Sequence, residues 1–375
     1  MMRTLTIIYL CFLSSTLFSQ ETIDKDIKNL FKTELEKENI KSGILHVYSE
    51  TRSIDIQITE SNIDSISINS PFYTASITKL FTATAIGILK DQNKLNFEDK
   101  IAKYLPDTLM KNLHVLEKKS YSGHITIAHL LQHTSGLPDY FSDHTNDKSP
   151  NIINQILTNP NKTWTGKEMI QYSKDKMTPH FIPGEGYHYT DTAYVLLALI
   201  IENVSGLSLD NFFQQNMFQP LGMNSSFINL KSIQQKNQLP MDKFYLGAIE
   251  LSSFQSLSAD WGGGGLISTT QDLISFLKAF NEDLIVKKET RLAMQHWVYE
   301  TVGMKYGFGI RKVSFKELMH IDTDLQLIGH TGSTASFLWY CPQLDTYISG
   351  SLNQLEASKN AMILVYEILK IIENK

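Results

Sequence analysis

The sequence predicts an α+β protein in which one antiparallel sheet is built from both chain ends and flanked by helices. Strand-like runs rich in apolar and β-branched residues occur near both termini, at 44–48, 53–59, 307–313, 326–329, 334–340 and 346–353. The stretch between them, from about 90 to 255, has mostly helical spacing interrupted by long polar loops. We therefore expect the middle of the chain to form a large helical insertion beside the sheet.

Four further segments are predicted to be helices, at 23–38, 76–89, 269–280 and 357–372. Those at 23–38 and 269–280 have apolar positions on one face, which is the spacing of an amphipathic helix. The segment at 76–89 has no internal proline and no internal glycine except Gly87.

Composition and charge limit the class of protein. The chain has 375 residues, with 42% hydrophobic and 19% charged residues, which is typical of a chain that folds around a core. The net charge of −5 argues against nucleic acid or an anionic membrane as partner. We expect residues 21–375 to form one large domain, with a helical subdomain at about 90–255.

The first twenty residues have the pattern of a secretory signal peptide. Arg3 precedes a short apolar run at 5–13, and small or polar residues follow as far as Ser19. The run is shorter than the roughly 20 residues that span a bilayer. We expect cleavage near Ser19, an exported protein that is periplasmic or secreted, and no stable membrane span afterwards. An uncleaved anchor is the alternative.

Cleavage would leave Cys341 as the single cysteine, so no intramolecular disulfide is expected.

The segment Ser76-Ile77-Thr78-Lys79 could carry nucleophilic chemistry. Residues three apart lie on one face of a helix, so the hydroxyl and the amine would be neighbours. A serine hydroxyl needs a nearby group that takes its proton before it can attack a carbonyl. The same spacing recurs at Ser275 and Lys278, inside an amphipathic helix where both residues can simply be solvated.

The order of motifs resembles the serine β-lactamase and penicillin-binding protein superfamily, especially class C β-lactamases, D-Ala-D-Ala carboxypeptidases and related esterases. Ser76 and Lys79 match its Ser-x-x-Lys motif. Its second motif, Tyr-x-Asn, is matched in part at 189–191, and its third at His330-Thr331-Gly332. Connecting segments at 130–138, 220–223 and 264–269 are also similar, so the resemblance covers roughly residues 40 to 355.

The resemblance implies a role for each matched residue. Ser76 would be acylated. The charge of Lys79 would act on Tyr189 and Ser76 and prepare both for the reaction. Tyr189 would be the general base for the attack and the general acid for the leaving group. On the substrate side, His330 would lie beside this network and Thr331 would contact the anionic end of the substrate. Gly332 would be a further substrate-binding residue, and the backbone N–H groups of Ser76 and Ser333 would form the oxyanion hole. The implied activity is hydrolysis of a small amide, peptide or ester, with cell-wall-derived substrates as one option.

Asp191 departs from the superfamily pattern, which usually has Asn at this position. An ionised Asp only accepts hydrogen bonds, whereas Asn also donates. A substrate amide carbonyl would lose a donor here, and a substrate amine or N–H would gain an acceptor. We therefore expect amide-bearing β-lactams to be poor substrates compared with simple esters or peptides that carry a free amine.

The motifs of other classes of site are incomplete or absent in the sequence. His129 and His133 have helical i, i+4 spacing, but no Glu follows the first His and no third ligand is evident, so neither a metal nor another cofactor is predicted. There is no Gly-x-Ser-x-Gly elbow. The alternative to an enzyme is a non-catalytic penicillin-binding or cell-wall sensor module of the same fold.

Overall fold

The computed structural model describes residues 21–37, 39–232 and 239–374. Its main feature is an eight-stranded antiparallel sheet in the order β10-β11-β12-β13-β14-β15-β1-β2. The strands of this sheet are β1 (Ser42–Ser49), β2 (Ile54–Ser61), β10 (Val298–Thr301), β11 (Met304–Tyr306), β12 (Arg311–Ser314), β13 (Gln326–Thr331), β14 (Ser336–Cys341) and β15 (Thr346–Ser351). Because β1 pairs with β15, the sheet joins the two ends of the chain, as the sequence predicted.

Short strands form three small additional sheets. They are β3 (Phe72–Tyr73), β4 (Val115–Leu116), β5 (Lys119–Ser120), β6 (Phe227–Ile228), β7 (Tyr245–Leu246), β8 (Ile249–Glu250) and β9 (Leu266–Ser268). Strand β9 lies between β3 and β6, and Thr74 follows β3 directly. This small sheet therefore anchors the segment that leads to Ser76.

Fourteen helices are found in the described part of the chain, and a π-helical turn (Gln214–Phe218) joins two of them. They are α1 (21–35), α2 (Thr78–Asp91), α3 (Asp107–Met110), α4 (Ile127–Leu131), α5 (Ile152–Thr158), α6 (Gly166–Lys176), α7 (Asp191–Ser205), α8 (Leu209–Phe213), α9 (Gln219–Leu221), α10 (Trp261–Gly264), α11 (Thr270–Asn281), α12 (Lys288–Met294), α13 (Phe315–Met319) and α14 (Ser358–Glu373).

Helices cover both faces of the main sheet. On one face, apolar side chains of α1 and α14, such as Phe31 and Ile368, pack with Trp339 and other inward-facing sheet residues. On the other face, a larger core joins the sheet to α2, α7 and α11. Phe81 of α2 stacks on Phe276 of α11 with ring centroids 3.7 Å apart. The helix that follows Ser76 is therefore held deep in the core.

Local boundaries differ from the sequence prediction in two places. The predicted strand at 307–313 is a turn at 307–310 followed by β12, because Gly309 has φ +67° and lies so close to Ala83 that a Cβ atom would be 2.5 Å away. The predicted helix at 76–89 begins at Thr78 as an α-helix, and a 3₁₀ turn (Ala75–Ile77) carries Ser76. Strands β10 and β11 were not predicted.

Among the described residues, no single helix has both the length and the apolar composition needed to cross a membrane. One strongly bent pair of helices, Asp191–Ser205 with Leu209–Leu221, reaches these limits by length and composition only. The predicted signal peptide at 1–20 lies outside the described residues.

Candidate active site

Ser76 lies in a tightly held turn between β3 and α2. Ala75 before it has φ +47°, a backbone conformation that L-residues with side chains rarely adopt. Two hydroxyl groups from the start of β14 fix this turn: Thr334 Oγ1 donates to Tyr73 O, and Ser336 Oγ donates to Thr74 O, both at 2.7 Å. Ser76 itself is half-buried, so its hydroxyl is held at the edge of the cleft by neighbours that are fully buried.

Lys79 is fully buried and uses all three of its donors. Its Nζ donates to Ser76 Oγ at 3.0 Å, to Asp191 Oδ1 at 2.5 Å and to the Gly263 carbonyl at 2.9 Å. Burial alone would lower the pKa of Lys79, but the charge and hydrogen bond of Asp191 raise it above its usual value. Lys79 is therefore an ammonium group at neutral pH.

Asp191 begins α7, and its backbone and side chain are both fixed. Its N–H donates to Asp139 Oδ1 at 2.9 Å, and its Oδ1 accepts from Lys79. The side chain keeps 11% of its surface exposed. Burial and the nearby charge of Asp191 raise the pKa of Asp139 to about 6. Asp191 therefore serves first as the counter-ion of Lys79, and sequence reasoning did not foresee this pairing.

Glycine at position 263 makes this pairing possible. A Cβ atom there would lie 2.2 Å from Asp191 Oδ1 and 3.5 Å from Lys79 Nζ. The four-glycine run at 262–265 thus brings the Gly263 carbonyl against the buried Lys79 ammonium. A side chain at position 263 would push the Asp191 carboxylate away.

Tyr189 lies against the Lys79–Asp191 pair. Lys79 Nζ lies 4.9 Å from its ring centroid, and Arg311 Cζ lies 5.1 Å from the same centroid. The hydroxyl is buried and has no hydrogen-bond partner among the described residues. Burial raises the pKa of Tyr189, although the charges of Lys79 and Arg311 and the Ser76 hydroxyl lower it in part. The resting phenol is therefore neutral.

His330 is buried behind the site and is neutral. Its Nδ1 lies 2.7 Å from Thr331 O and its Nε2 lies 3.0 Å from the Tyr306 hydroxyl. A carbonyl can only accept, so we assign the proton to Nδ1, and Tyr306 then donates to Nε2. Burial, followed by the charges of Arg311 and Lys79, holds the pKa of His330 well below its usual value. His330 therefore positions Tyr306 and Thr331 rather than carrying a charge.

The third motif lies directly beside the Ser76 turn. A Cβ atom at Gly332 would lie 2.2 Å from Thr74 O and 2.9 Å from Ala75 Cβ, so only glycine allows this approach. Ser333 is exposed, and its N–H has no hydrogen bond within the described residues. This N–H is available to a carbonyl oxygen at Ser76, as an oxyanion hole requires.

Arg311 is a site residue that sequence reasoning missed. Its Nη1 donates to Thr331 Oγ1 at 3.2 Å, and its Nε and Nη2 bind the Glu300 carboxylate at 2.7–3.2 Å. Both side chains are largely buried. Glu300 and Arg311 lie on β10 and β12, and only the pairing of both strands with β11 brings them together. The hydrogen bond from Arg311 orients the Thr331 hydroxyl. The Glu300 carboxylate offsets most of the positive charge of Arg311.

The pair His129 and His133 has no metal-binding geometry. His129 Nδ1 accepts from Thr126 N–H as part of a helix cap, and His133 Nδ1 accepts from Thr190 N–H at 3.1 Å. The His133 ring packs on Tyr189 with centroids 4.2 Å apart. His133 therefore packs against the Tyr189 ring and supports its position.

The second Ser-x-x-Lys copy is a surface feature. Lys278 Nζ pairs with Glu50 at 2.6 Å, and Ser275 Oγ accepts from Gln271 on the same helix. Neither residue approaches a buried base, so the copy lacks the surroundings of Ser76.

An apolar cavity of about 440 Å³ reaches the third motif. Thr331 and Gly332 form one part of its wall, and much of the remainder is thioether and aliphatic surface from Met304, Leu318, Met319 and Met362. Methionine side chains adapt to irregular apolar shapes. The cavity could therefore receive a bulky apolar group bound near Thr331.

Comparisons with known proteins agree with this geometry. Residues 35–370 match the Beta-lactamase family, and the chain belongs to it. Penicillin-binding protein 4* of Bacillus subtilis (strain 168) is 30% identical over 262 residues, which cover 64% of this chain but only about half (52%) of that relative. The chain is therefore a member of the serine β-lactamase and penicillin-binding protein superfamily, as the motifs implied.

Two solved structures show the same fold. D-amino acid amidase from Ochrobactrum anthropi SV3, in complex with D-phenylalanine, has a TM-score of 0.78 and 19% identity, covering 94% of this chain and 100% of that chain. D-stereospecific amidohydrolase from Streptomyces sp. has a TM-score of 0.71 and 20% identity, covering 89% and 94%. The α+β architecture with its large antiparallel sheet is thus shared across nearly the whole chain.

Gly263→Ala should impair activity by displacing Asp191 from Lys79. The added methyl group would overlap Asp191 Oδ1, and leaving a buried ammonium poorly paired costs about 3–5 kcal/mol, part of which the site recovers by moving. We expect kcat/KM to fall by at least about a hundredfold. Gly123→Ala is the control, because a Cβ atom there meets nothing within 4 Å. Equal activity of both variants in a steady-state assay would contradict this account of the glycine.

Ser76→Ala should abolish covalent labelling by a fluorophosphonate probe, because the Lys79-bonded hydroxyl is removed. Ser275→Ala should label like the unmodified protein, since Ser275 contacts only Gln271 by a side-chain hydrogen bond. Intact-protein and peptide mass spectrometry would locate the adduct. An adduct on any residue other than Ser76 would show that the nucleophile is assigned wrongly.

Proposed function

We propose that this protein is an exported serine amidase or peptidase that forms an acyl-enzyme on Ser76. Its substrates are small amides or peptides whose acyl part carries a free amine. The observation that carries the proposal is the buried Ser76–Lys79–Asp191 chain of hydrogen bonds, with a neutral, unpartnered Tyr189 hydroxyl beside it.

The protonation of Lys79 decides which group can activate Ser76. An ammonium that donates to Ser76 Oγ cannot also accept the serine proton. Tyr189 is the remaining group beside Ser76 with a free hydroxyl. Its phenol can accept the Ser76 proton while it passes its own proton to the leaving nitrogen, so no lasting charge forms on the buried ring. Lys79 meanwhile stabilises the developing charge on Ser76 Oγ.

The reaction would then proceed in two balanced halves. Ser76 Oγ bonds to the substrate carbonyl carbon, and the carbonyl oxygen accepts from the Ser333 N–H. The C–N bond breaks as Tyr189 protonates the leaving amine, and an acyl-Ser76 ester remains. Water repeats the sequence: its oxygen bonds to the acyl carbon, one proton returns through Tyr189 to Ser76, and the free acid leaves.

Asp191 supports a preference for an amine-bearing acyl group. Its Oδ1 is taken by Lys79, while the exposed remainder of the carboxylate can still accept from a substrate N–H or ammonium. The names of the D-amino acid amidase and the D-stereospecific amidohydrolase, which share the fold, suggest D-amino-acid amides as the first compounds to test.

The Arg311–Glu300 pair argues against a requirement for a free carboxylate on the leaving group. A D-Ala-D-Ala carboxypeptidase substrate ends in a carboxylate, which favours an uncompensated cation nearby. Here the Glu300 carboxylate already binds Arg311 through two nitrogen atoms. An amide substrate whose leaving amine carries no carboxylate, bound by the Thr331 hydroxyl, fits this electrostatic setting better.

Replacing Asp191 with Asn tests the substrate preference. We expect the protein to turn over D-phenylalanine amide with a higher kcat/KM than benzylpenicillin, and Asp191→Asn to lower this ratio by about tenfold or more, because the amine loses a charged acceptor while an acylamide carbonyl gains a donor. L-phenylalanine amide and p-nitrophenyl acetate complete the panel. If the protein prefers penicillin, or if the ratios do not change, Asp191 does not set specificity.

The same variant should change the pH profile. Asp191 raises the pKa of Lys79, so its removal lowers that pKa, and the Lys79 ammonium is then lost at lower pH. The alkaline limb of kcat/KM for p-nitrophenyl acetate should therefore move to lower pH in Asp191→Asn.

Acylation of Ser76 by the fluorophosphonate probe without turnover of any compound would instead favour the alternative function, a penicillin-binding or cell-wall sensor module.

Export is the part of the proposal that rests on residues 1–20 alone. An apolar run that is short for a membrane span, followed by Ser19, supports a cleaved signal peptide. We expect the mature protein, when produced with its own N-terminus in a Gram-negative host, to begin near Gln20 or Glu21 in intact-mass measurements. Protein that retains Met1 in the membrane fraction would show an anchor instead.

A further inference from the structure

Asp143, His180 and His188 form a cluster outside the catalytic residues. Asp143 Oδ2 lies 2.7 Å from His180 Nε2 and 3.0 Å from His188 Nε2. The two imidazole rings contact each other with centroids 3.7 Å apart and ring planes tilted by 33°. All three candidate ligand atoms lie within 4.8 Å of one another. Two imidazoles and one carboxylate thus converge on one point that solvent can still reach.

The backbone holds these three side chains in place. The N–H of His180 donates to Gly136 O at 2.9 Å, and the N–H of His188 donates to His133 O at 2.9 Å. Asp143 is fixed by its own N–H to Asp139 O, and its Oδ2 also accepts from the Asp139 N–H. The cluster is therefore preorganised rather than a chance meeting of mobile surface side chains.

We propose that Asp143, His180 and His188 bind a divalent transition metal ion, with Zn²⁺ as the best match. Zinc takes histidine nitrogen and carboxylate oxygen at about 2.0–2.2 Å, and in a tetrahedral site such ligands lie about 3.4 Å apart. The two separations from the carboxylate, now 2.7 and 3.0 Å, would need to widen by about 0.4–0.7 Å. Three protein ligands leave the fourth position to water.

The ligand atoms suit this role. One carboxylate oxygen, Asp143 Oδ2, faces the Nε2 atoms of both histidines. Neither histidine Nδ1 makes a hydrogen bond among the described residues. A neutral imidazole can therefore carry its proton on Nδ1, exchanged through solvent, while Nε2 binds the metal.

The position of the cluster gives the metal a structural consequence. His188 directly precedes Tyr189, and Asp139 accepts from the Asp191 N–H. A metal would therefore tie the segment at 139–143 to the segment at 180–191, which carries two residues of the active site. Bound metal should hold Tyr189 and Asp191 more firmly without contacting the substrate.

Isothermal titration of the metal-free mature protein with Zn²⁺ tests the site. We expect one ion per chain, and His180→Gln should weaken binding at least tenfold, since it removes one of three ligands from the most exposed position. His124→Gln is the control, because it removes an exposed histidine outside the cluster. Co²⁺ should give the visible absorption of a tetrahedral site, and His188→Gln should abolish that absorption.

Three results would overturn the proposal. They are absence of Zn²⁺ binding at 1 mM, binding that His180→Gln and His188→Gln both leave unchanged, and equal weakening by His124→Gln. Because every readout is metal binding or a Co²⁺ spectrum, the outcome does not depend on whether the proposed amidase activity is found. A metal-free protein that is an amidase, or a metal-binding protein that is not, would separate the two proposals.

Discussion

The ammonium group of Lys79 is the constraint around which the site is built. A fully buried, unpaired charge would cost several kcal/mol, so each of its three protons needs an acceptor. Asp191 supplies the opposite charge, Gly263 supplies a carbonyl, and Ser76 supplies the third oxygen atom. Ser76, the proposed nucleophile, is thus one of three acceptors, and the other two hold the charge of Lys79 in place.

Close approach of backbone segments brings these acceptors together. The helix that carries Lys79, the helix that begins at Asp191 and the glycine run meet where a single additional methyl group at Gly263 would not fit. Gly332 plays the corresponding part on the opposite side of Ser76, against Thr74. The side chains of the candidate site are therefore positioned by glycines that contribute no side chain of their own.

Features that local sequence patterns determine were predicted from the sequence. Contacts that depend on how strands pair were not. Periodicity placed the helices and the sheet that joins both chain ends, and motif order indicated Ser76, Lys79, Tyr189 and the third motif, which the structure brings to one cleft. Arg311 escaped notice because its partner Glu300 lies on an unpredicted short strand. The role of Asp191 toward Lys79 was also missed, since no spacing rule links residues so far apart in the chain.

The sheet that unites the two ends also determines when the site can exist. Ile44 near the start lies opposite Ser351 near the end, and the third motif precedes that last strand only slightly along the chain. During synthesis, Ser76 and Lys79 emerge long before Gly332, Thr334 and Ser336, which fix the Ser76 turn. The turn that holds Ser76 is therefore not fixed until the third motif and the strand after it have been made, and contacts of such large sequence separation form slowly. Assembly of the candidate site is thus coupled by topology to the synthesis of these later segments.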